Sequence, residues 1–267
     1  MSFDPRLFKR LERSGYDRLG PRYLAGAAAR QLLVDIVLDA ADLSPGMAVL
    51  DVAAGPGQIA HAALERMGDG LAVASDISAG QLACCPQLPR AVADAEALPF
   101  AAASFDRVMC GLGLMFFPDD HVALEEMRRV LRPDGRLVVS VWSSAENVPL
   151  VATALSCMRR LLPPPKVERP SIFRHGDRDA LRHRLAEAGF RRIDIGDCLL
   201  VNEFPDAATY WRAFLDLAGG AAESLARLPA ARQEKLATGV AAELAPHRCG
   251  AGFRMTSTVL VATAAPV

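Results

Sequence analysis

VLDVAAGPGQIA, residues 49–60, is the most informative stretch of this 267-residue chain. Its apolar first half predicts a buried strand. Gly55 and Gly57 then permit a sharp turn and a close approach of the backbone to a ligand. A helix predicted from Gln58 to Met67 would begin with free N–H groups directed at that ligand. The stretch therefore predicts a strand–turn–helix loop that binds a nucleotide-type cofactor.

The spacing of Gly55, Gly57 and Ala60 fits the dinucleotide fingerprint G-x-G-x-x-G/A, which by itself does not separate dehydrogenases from other Rossmann-like proteins. Further segments follow at 74–76 (ASD), 93–96 (ADAE), 104–110 (SFDRVMC) and 131–142 (LRPDGRLVVSVW). In this order the chain resembles class I S-adenosylmethionine-dependent methyltransferases. The resemblance is to the subgroup of ubiquinone and menaquinone biosynthesis C-methyltransferases, and it covers roughly residues 45–143.

The resemblance implies an α/β fold: a Rossmann-like, doubly wound, mostly parallel seven-stranded sheet with its last strand antiparallel, plus helical cap insertions. Two helical patterns precede the core, and we assign Leu24 to the second of them. The expected third strand runs from Val92 to Asp94. The predicted segments are an N-terminal helical lid (1–44), the S-adenosylmethionine-binding core (45–143), a first cap segment (144–176), a continuation of the core (177–204), a helical cap insertion (205–247) and a final core strand (248–267).

The resemblance also implies which residues bind S-adenosylmethionine and its product S-adenosylhomocysteine. Asp76 would accept hydrogen bonds from the ribose hydroxyls, and Asp94 with Ala95 would recognise the adenine edge. Gln81 stands where relatives often have methionine, and Cys110 is expected to act through its backbone rather than as a nucleophile. The predicted cofactor contacts are Tyr16, Tyr23, Asp51, Ala53, Gly55, Gly57, Asp76, Ile77, Gln81, Asp94, Ala95, Cys110 and Leu112.

The cluster LMFF, residues 114–117, directly follows a strand that should end at the cofactor. Its side chains could belong to the core, or one or two aromatic rings could line the acceptor site. We also expect segments 144–176 and 205–247 to pack together over the carboxyl ends of the strands, where ligands of open parallel sheets bind. The predicted acceptor contacts are Phe116, Phe117, Phe173, Tyr210 and Trp211.

Composition excludes some classes of function. Thirty Lys and Arg residues against 31 Asp and Glu residues leave a net charge of −1, which gives no global signature of a nucleic-acid-binding protein. The sequence contains no apolar run long enough to span a bilayer and no signal-peptide pattern at its start. The six cysteines show no metal-ligand spacing. We therefore predict a cytoplasmic enzyme without metal, nucleic-acid partner or membrane insertion, and leave its oligomeric state open.

The favoured function is methyl transfer from S-adenosylmethionine to a small, largely apolar acceptor, by O- or C-methylation of a quinone, phenol or secondary metabolite. A sulfonium is a good leaving group, so the protein has chiefly to align the reactants and exclude water. Two alternatives are a nucleotide-dependent dehydrogenase and a protein that binds S-adenosylmethionine without turnover. If a weakly acidic hydroxyl must lose its proton, a histidine titrates in the useful range. The candidate bases are His175 first and His121 second.

Overall fold

A computed structural model describes residues 3–164, 167–218 and 220–267; Met1, Ser2, Pro165, Lys166 and Gly219 lie outside the described residues. The strands form one sheet in the order β3-β2-β1-β4-β5-β8-β6, and β7 pairs with β8. The strands are β1 (Ala48–Val52), β2 (Leu71–Asp76), β3 (Arg90–Val92), β4 (Phe105–Gly111), β5 (Leu131–Trp142), β6 (Phe190–Phe204), β7 (Arg248–Cys249) and β8 (Gly252–Pro266).

Pairing within the sheet confirms the predicted fold class. Strands β1 to β5 pair with one another in parallel, whereas β8 runs antiparallel to both β5 and β6. The two-residue β7 adds an eighth strand to the seven expected. The chain leaves β1 towards β2 on one side, and β4 lies on the other side of β1. This change of direction opens a crevice at the carboxyl ends of the strands, where such sheets bind ligands.

The helices surround this sheet and occupy most of the chain between strands. They are α1 (Pro5–Ala25), α2 (Gln31–Ala41), α3 (Gln58–Met67), α4 (Ala79–Leu82), α5 (Asp120–Val130), α6 (Pro149–Leu161), α7 (Arg178–Glu187), α8 (Ala207–Leu217), α9 (Gly220–Ala226) and α10 (Ala230–Glu243). Among the cap helices, α10 packs against both α6 and α8, and α8 also packs against α6.

Three boundaries correct the sequence-based expectations. Helix α1 continues through Pro21 to Ala25, so Leu24 belongs to its exposed end and not to α2. Strand β3 ends at Val92, because the Asp94 carboxylate accepts a hydrogen bond from the Glu96 N–H and folds the chain into a turn. Strand β5 begins at Leu131 and includes residues 132–135, whose proline and glycine positions predict a type I turn before a strand from Leu137 to Trp142.

Strands β6 and β8 form a long antiparallel pair that extends beyond the rest of the sheet. Pairing between β8 and β5 ends at Val259 opposite Trp142, whereas pairing between β8 and β6 continues to Phe253 opposite Phe204. Residues 253–258 of β8 therefore extend beyond the end of β5. Helix α6 begins against this extension, where the Leu150 N–H donates to Ser257 Oγ at 3.2 Å.

Candidate active site

A cavity of about 840 Å³, counted with the part open to solvent, lies at the carboxyl ends of β1, β2 and β4. Helix α1 covers it, and four residues of α1 contribute to its wall. The cavity brings together twelve residues that the sequence analysis assigned to cofactor or acceptor. They are Tyr16, Tyr23, Ala53, Gly55, Asp76, Ile77, Gln81, Asp94, Ala95, Leu112, Phe116 and Phe117.

The backbone around this cavity adopts conformations that side chains disfavour. Gly55 and Gly57 have φ of 54° and 75°, and the non-glycine residues Ala53 and Leu112 have φ of 56° and 53°. Ala53 follows β1 and Leu112 follows β4, so both left-handed residues lie at strand ends that line the cavity. Strained residues of this kind cluster at ligand sites, where the surrounding structure holds them in place.

Gly57 shapes the loop and does not line the cavity. A Cβ at this position would lie 2.9 Å from the Sγ atom of Cys85, and the Gly57 N–H donates to the Ala54 carbonyl at 2.9 Å. Its left-handed conformation ends the turn at the first residue of α3. The glycine is therefore required by the close packing of the loop on residue 85, in addition to its φ.

Asp76 is held with both carboxylate oxygens accepting backbone N–H groups. Gly55 donates to Oδ2 and Ser78 donates to Oδ1, each at 2.8 Å. A carboxylate oxygen has a second lone-pair site, so each oxygen retains the capacity to accept one more hydrogen bond. Burial raises the pKa of Asp76, and the two backbone hydrogen bonds oppose that rise. The arrangement matches a pair of neighbouring hydroxyl donors.

Asp51 lies outside the main cavity and lines an adjoining one, which also contacts Arg30 and Tyr23. Its Oδ2 atom accepts from the Ala60 N–H at 3.1 Å, while its buried Oδ1 atom has no hydrogen-bond partner among the described residues. Burial raises the pKa of Asp51 to about 8. The Arg30 guanidinium lies 3.9 Å from the centre of the Tyr23 ring. The adjoining cavity thus offers an unsatisfied acceptor and a cation.

Helix α1 is fastened to the cofactor side of the cavity by residues that the sequence analysis missed. Lys9 Nζ lies 2.6 Å from an Asp94 oxygen and 2.5 Å from a Glu96 oxygen. Asp17 accepts hydrogen bonds from Ser78 Oγ at 2.7 Å and from the Gly80 N–H at 2.9 Å. The charges on α1 are visible in the sequence, but their partners lie more than 60 residues away.

Gln81 adds a further link to α1. Its Nε2 atom donates to the Tyr16 carbonyl at 3.0 Å. Its Oε1 atom is buried without a hydrogen-bond partner among the described residues. Gln81 lines the main cavity, so this wall contains an acceptor that a ligand could satisfy.

The LMFF cluster divides evenly between core and cavity. Leu114 and Met115 are buried in the core, whereas Phe116 and Phe117 line the cavity. Tyr16 meets the Phe116 ring edge-to-face, with 5.9 Å between ring centres. The turn after β4 therefore supplies two aromatic residues to the cavity wall, and α1 supplies two more, Tyr16 and Tyr23.

Glu12 is another cavity residue that the sequence analysis missed. Its side chain is only 8% exposed and pairs with Arg169, whose side chain is 28% exposed. This ion pair joins α1 to the chain between α6 and α7. The negative charge of Glu12 is one cause of the raised pKa of the Tyr16 hydroxyl, after burial of that hydroxyl.

Cys110 does not line the cavity, contrary to its place among the expected cofactor contacts. Its side chain is fully buried, and its sulfur accepts hydrogen bonds from the N–H groups of Gly113 and Leu114. Burial raises the pKa of the thiol to about 12. Cys110 is therefore a protonated packing residue that orients the turn leading to Phe116.

Three of the expected acceptor contacts also lie outside the cavity lining. The Tyr210 hydroxyl donates to the Leu150 carbonyl at 2.9 Å and accepts from the Ala154 N–H at 3.2 Å, so this tyrosine joins α8 to α6. Trp211 stacks on Phe214 with 5.5 Å between ring centres. Phe173 packs against the core. An aromatic residue type in the sequence therefore does not distinguish a side chain that packs between helices from one that lines the main cavity.

Neither candidate base reaches the main cavity. His175 is buried beside Asp120 in a separate depression, with 3.1 Å between its Nε2 atom and Asp120 Oδ2 but without hydrogen-bond geometry. Burial lowers the pKa of His175 to about 4; Arg174 lowers it further, and Asp120 opposes both. His121 lies on α5, 3.7 Å from a Glu125 oxygen. Neither histidine is among the residues that line the main cavity, and a role as a base stays a prediction.

The sequence and the fold were compared with those of known proteins. A model of the methyltransferase domain family matches residues 50–139. The ubiquinone/menaquinone biosynthesis C-methyltransferase UbiE of Laribacter hongkongensis is 35% identical over 176 residues, which are 59% of this chain and 72% of that protein.

The chain belongs to the ubiquinone/menaquinone-type S-adenosylmethionine-dependent methyltransferases. This methyltransferase is also 39% identical over 123 residues to the demethylmenaquinone methyltransferase of Mycolicibacterium paratuberculosis, and it spans about half (53%) of that relative's length. Its fold resembles phosphoethanolamine N-methyltransferase 2 of Haemonchus contortus in complex with S-adenosylhomocysteine, with a TM-score of 0.59 and 15% identity over 96% of this chain and 60% of that one.

Because the chain belongs to this family, it is an S-adenosylmethionine-dependent methyltransferase, and the dehydrogenase alternative is no longer favoured. The residues present fit this cofactor, because Asp51 and Gln81 each direct a buried oxygen without a partner among the described residues towards cavities that Gly55 also lines. In the part of the chain that the structure describes, none of the helices has the length and apolarity that a membrane crossing requires.

Proposed function

We propose that this methyltransferase acts on a small hydroxylated aromatic acceptor of the quinol or phenol class, and that it methylates a ring carbon. The observation that supports the proposal is the shared cavity: the residues suited to the cofactor and the rings of Tyr16, Phe116 and Phe117 line one space. Flat apolar walls favour an aromatic acceptor through area burial and ring contacts. The names of the relatives from Laribacter and Mycolicibacterium point to the same class.

The cofactor would occupy the cavity with its ribose on Asp76 and its adenine near Asp94 and Ala95. Asp51 and Arg30 both line the adjoining cavity and would hold the ammonium and carboxylate groups of its amino-acid end, with the nearby ammonium group favouring the ionised form of Asp51. When bound, S-adenosylmethionine supplies an electrophilic methyl group with a neutral thioether as leaving group. These placements leave the aromatic wall free for the acceptor.

The protein residues would promote transfer mainly by position and by exclusion of water. A phenol-type ring carbon next to a hydroxyl is a carbon nucleophile; it forms the new bond to the methyl carbon and afterwards loses its ring proton to water. Tyr16 and Phe116 would hold the ring plane, and Glu12 would accept a hydrogen bond from an acceptor hydroxyl. Alignment of this kind lowers barriers substantially without a dedicated base.

The test is incubation of the purified protein with S-adenosylmethionine bearing a trideuterated methyl group and a panel of acceptors. The panel contains reduced demethylmenaquinone, reduced menadione, simple phenols and an unrelated RNA. We expect a mass increase of one labelled methyl group on a quinol or phenol, with fragmentation that places it on carbon. The Asp76→Ala variant is the matched control, because it keeps the acceptor wall and loses a cofactor contact.

Label on oxygen would correct the proposed position, and label on RNA would contradict the acceptor class. Binding of S-adenosylhomocysteine without transfer to any acceptor would favour a binding protein without turnover. We also propose that the enzyme works in the cytoplasm, and fractionation of cells that produce it with its own untagged sequence would test this.

A further inference from the structure

The side chain of Arg174 contacts the acceptor wall from behind. Its Nη2 atom donates to the Leu114 carbonyl at 3.1 Å and also to the Phe117 carbonyl. Arg174 does not line the main cavity. It therefore contacts the backbone of the aromatic turn without contacting the space in which an acceptor would bind.

The two carbonyls bracket the short turn that presents both phenylalanine rings. Inside the turn, the Phe116 N–H donates to Gly113 at 2.9 Å and the Phe117 N–H donates to Leu114 at 3.3 Å. These are single-turn hydrogen bonds, and a short 3₁₀ turn has poorer hydrogen-bond geometry than an α-helix. Charged donors form stronger hydrogen bonds than neutral ones. Arg174 consequently provides a strong external restraint on this turn.

The loop that carries Arg174 is itself fixed to the sheet. A Cβ at Gly176 would lie 2.4 Å from the Ser143 carbonyl carbon, so the loop runs directly against the chain after β5. The Gly176 N–H donates to the Phe173 carbonyl at 2.9 Å, and the adjacent His175 is buried beside Asp120. Arg174 thus projects from a fixed base.

We propose that Arg174 is a positioning residue for the acceptor: it holds the turn at residues 114–117 so that Phe116 and Phe117 form a fixed wall. The proposal deepens the proposed function, on which its catalytic part rests. Loss of Arg174 frees the turn to shift relative to the sheet, which moves the acceptor relative to the cofactor. The contacts of Asp76, Gly55 and Asp51 remain unchanged.

The first experiment needs no acceptor. 4-Fluorophenylalanine is incorporated at position 117, and the fluorine spectrum of the complex with S-adenosylhomocysteine is recorded for the otherwise unchanged protein, Arg174→Gln and Arg178→Gln. Arg178 is a matched control, because it also donates to a backbone carbonyl, that of Ile195, and pairs with Asp197 away from the cavity. We expect one narrow line for the unchanged protein and Arg178→Gln, and a shifted, broadened or split line for Arg174→Gln.

The second experiment measures transfer to whichever panel acceptor is methylated. We expect kcat/KM for the acceptor to fall about 10- to 100-fold in Arg174→Gln, as a displacement of the reactants of about 1 Å can cause. The KM for S-adenosylmethionine should stay within about twofold, and Arg174→Lys should recover part of the loss because its ammonium can donate to one carbonyl. A purely structural defect would lower kcat/KM for the acceptor and also raise the KM for S-adenosylmethionine.

Superposable fluorine spectra for Arg174→Gln and the unchanged protein would overturn the proposal, as would equal loss of cofactor and acceptor affinity. If Arg174→Gln does not fold, Arg174→Lys replaces it in both experiments under the same criteria. If no panel acceptor is methylated, the proposed function fails, while the fluorine spectra still decide whether Arg174 positions the turn.

Discussion

The two halves of the active-site cavity are built in different ways. The cofactor half consists of short chain segments at the ends of neighbouring strands, and Asp76 is held there by backbone N–H groups of nearby loops. The acceptor half is assembled from distant segments through charged side chains, such as Arg169 with Glu12 and Arg174 with the 114–117 turn. Backbone N–H groups therefore hold the central carboxylate of the half proposed for the cofactor, whereas a long-range side-chain contact holds the aromatic turn of the half proposed for the acceptor.

The largest expected effect concerns Asp51 and the pH dependence of stability. Its pKa is about 8 in the folded protein, against about 4 in an unfolded chain. Between these values the folded state retains a proton that the unfolded state has lost, so stability falls as pH rises, by at most about 1.4 kcal/mol per pH unit. Urea unfolding of the ligand-free protein from pH 5 to 8 should show this fall.

Asp51→Asn is the variant that isolates this carboxyl group. Because asparagine does not ionise, its stability curve should be flatter than that of the unchanged protein over the same pH range. The same variant should bind S-adenosylmethionine more weakly, since it lacks the charge for the ammonium group. Parallel stability curves for the two proteins would show that the Asp51 carboxyl group does not cause the fall in the free energy of unfolding as pH rises.

The next effect concerns cofactor affinity. Asp76→Ala removes the acceptor of two hydroxyl groups, and we expect a loss of about 1 to 3 kcal/mol in S-adenosylhomocysteine binding. Calorimetry measures it, with Asp39→Ala as a control because Asp39 is an exposed ion-pair residue far from the cavity. Unchanged affinity, or tighter binding of NAD than of S-adenosylmethionine, would contradict the assignment of this half.

A smaller effect is expected from the ion pair of the acceptor half. Arg169→Met, Glu12→Gln and the double variant form a double-mutant cycle, for which we expect a coupling free energy of about 1 kcal/mol in urea unfolding. S-adenosylhomocysteine affinity should change little in all three, because neither residue belongs to the cofactor half. A large common loss of cofactor affinity would show that the two halves do not separate energetically.

The smallest effect on turnover is expected at His175. Its lowered pKa, about 4, means that the unfolded state binds a proton first as pH falls from about 6.5, so stability declines between these values. His175→Gln should remove that decline. Turnover of this variant and of His121→Ala should stay within about tenfold of the unchanged protein, whereas loss of a general base costs about 10²- to 10⁴-fold. A larger loss, with an altered pH–rate profile, would restore a base to the mechanism.

Sequence alone predicted many of the residues that line the main cavity on the side proposed for the cofactor, because the determinants there are local. The strand, the two glycines and the acidic residue at the end of β2 follow one another at short spacing, and the fold brings their neighbours into one cavity. On the side proposed for the acceptor, the predicted residues that line the cavity are again local, Phe116 and Phe117. Lys9, Glu12 and Arg174 show no pattern in the sequence, because their partners are defined by tertiary contacts.

The predicted site residues that lie outside the main cavity have a common explanation. Tyr210 and Trp211 are aromatic residues in a cap helix, but burial between α8 and α6 satisfies the Tyr210 hydroxyl within the cap. His175 follows the expected return of the chain towards the sheet, yet the return places its ring beside Asp120 on the other side of the aromatic turn. Residue type and chain position predicted which part of the fold each residue occupies. Whether its side chain lines the main cavity depends on tertiary packing.

The extended strand pair of β6 and β8 affects where the chain can tolerate sequence changes. Residues 253–258 of β8, about 20 Å of strand at the usual rise per residue, support the start of α6 and contribute no residue to the main cavity. Insertions or substitutions in the helices that this strand pair supports can therefore occur without a change in the loops that line the main cavity. The architecture thus separates the loops proposed to handle the shared reagent from a part of the fold in which a change would leave those loops intact.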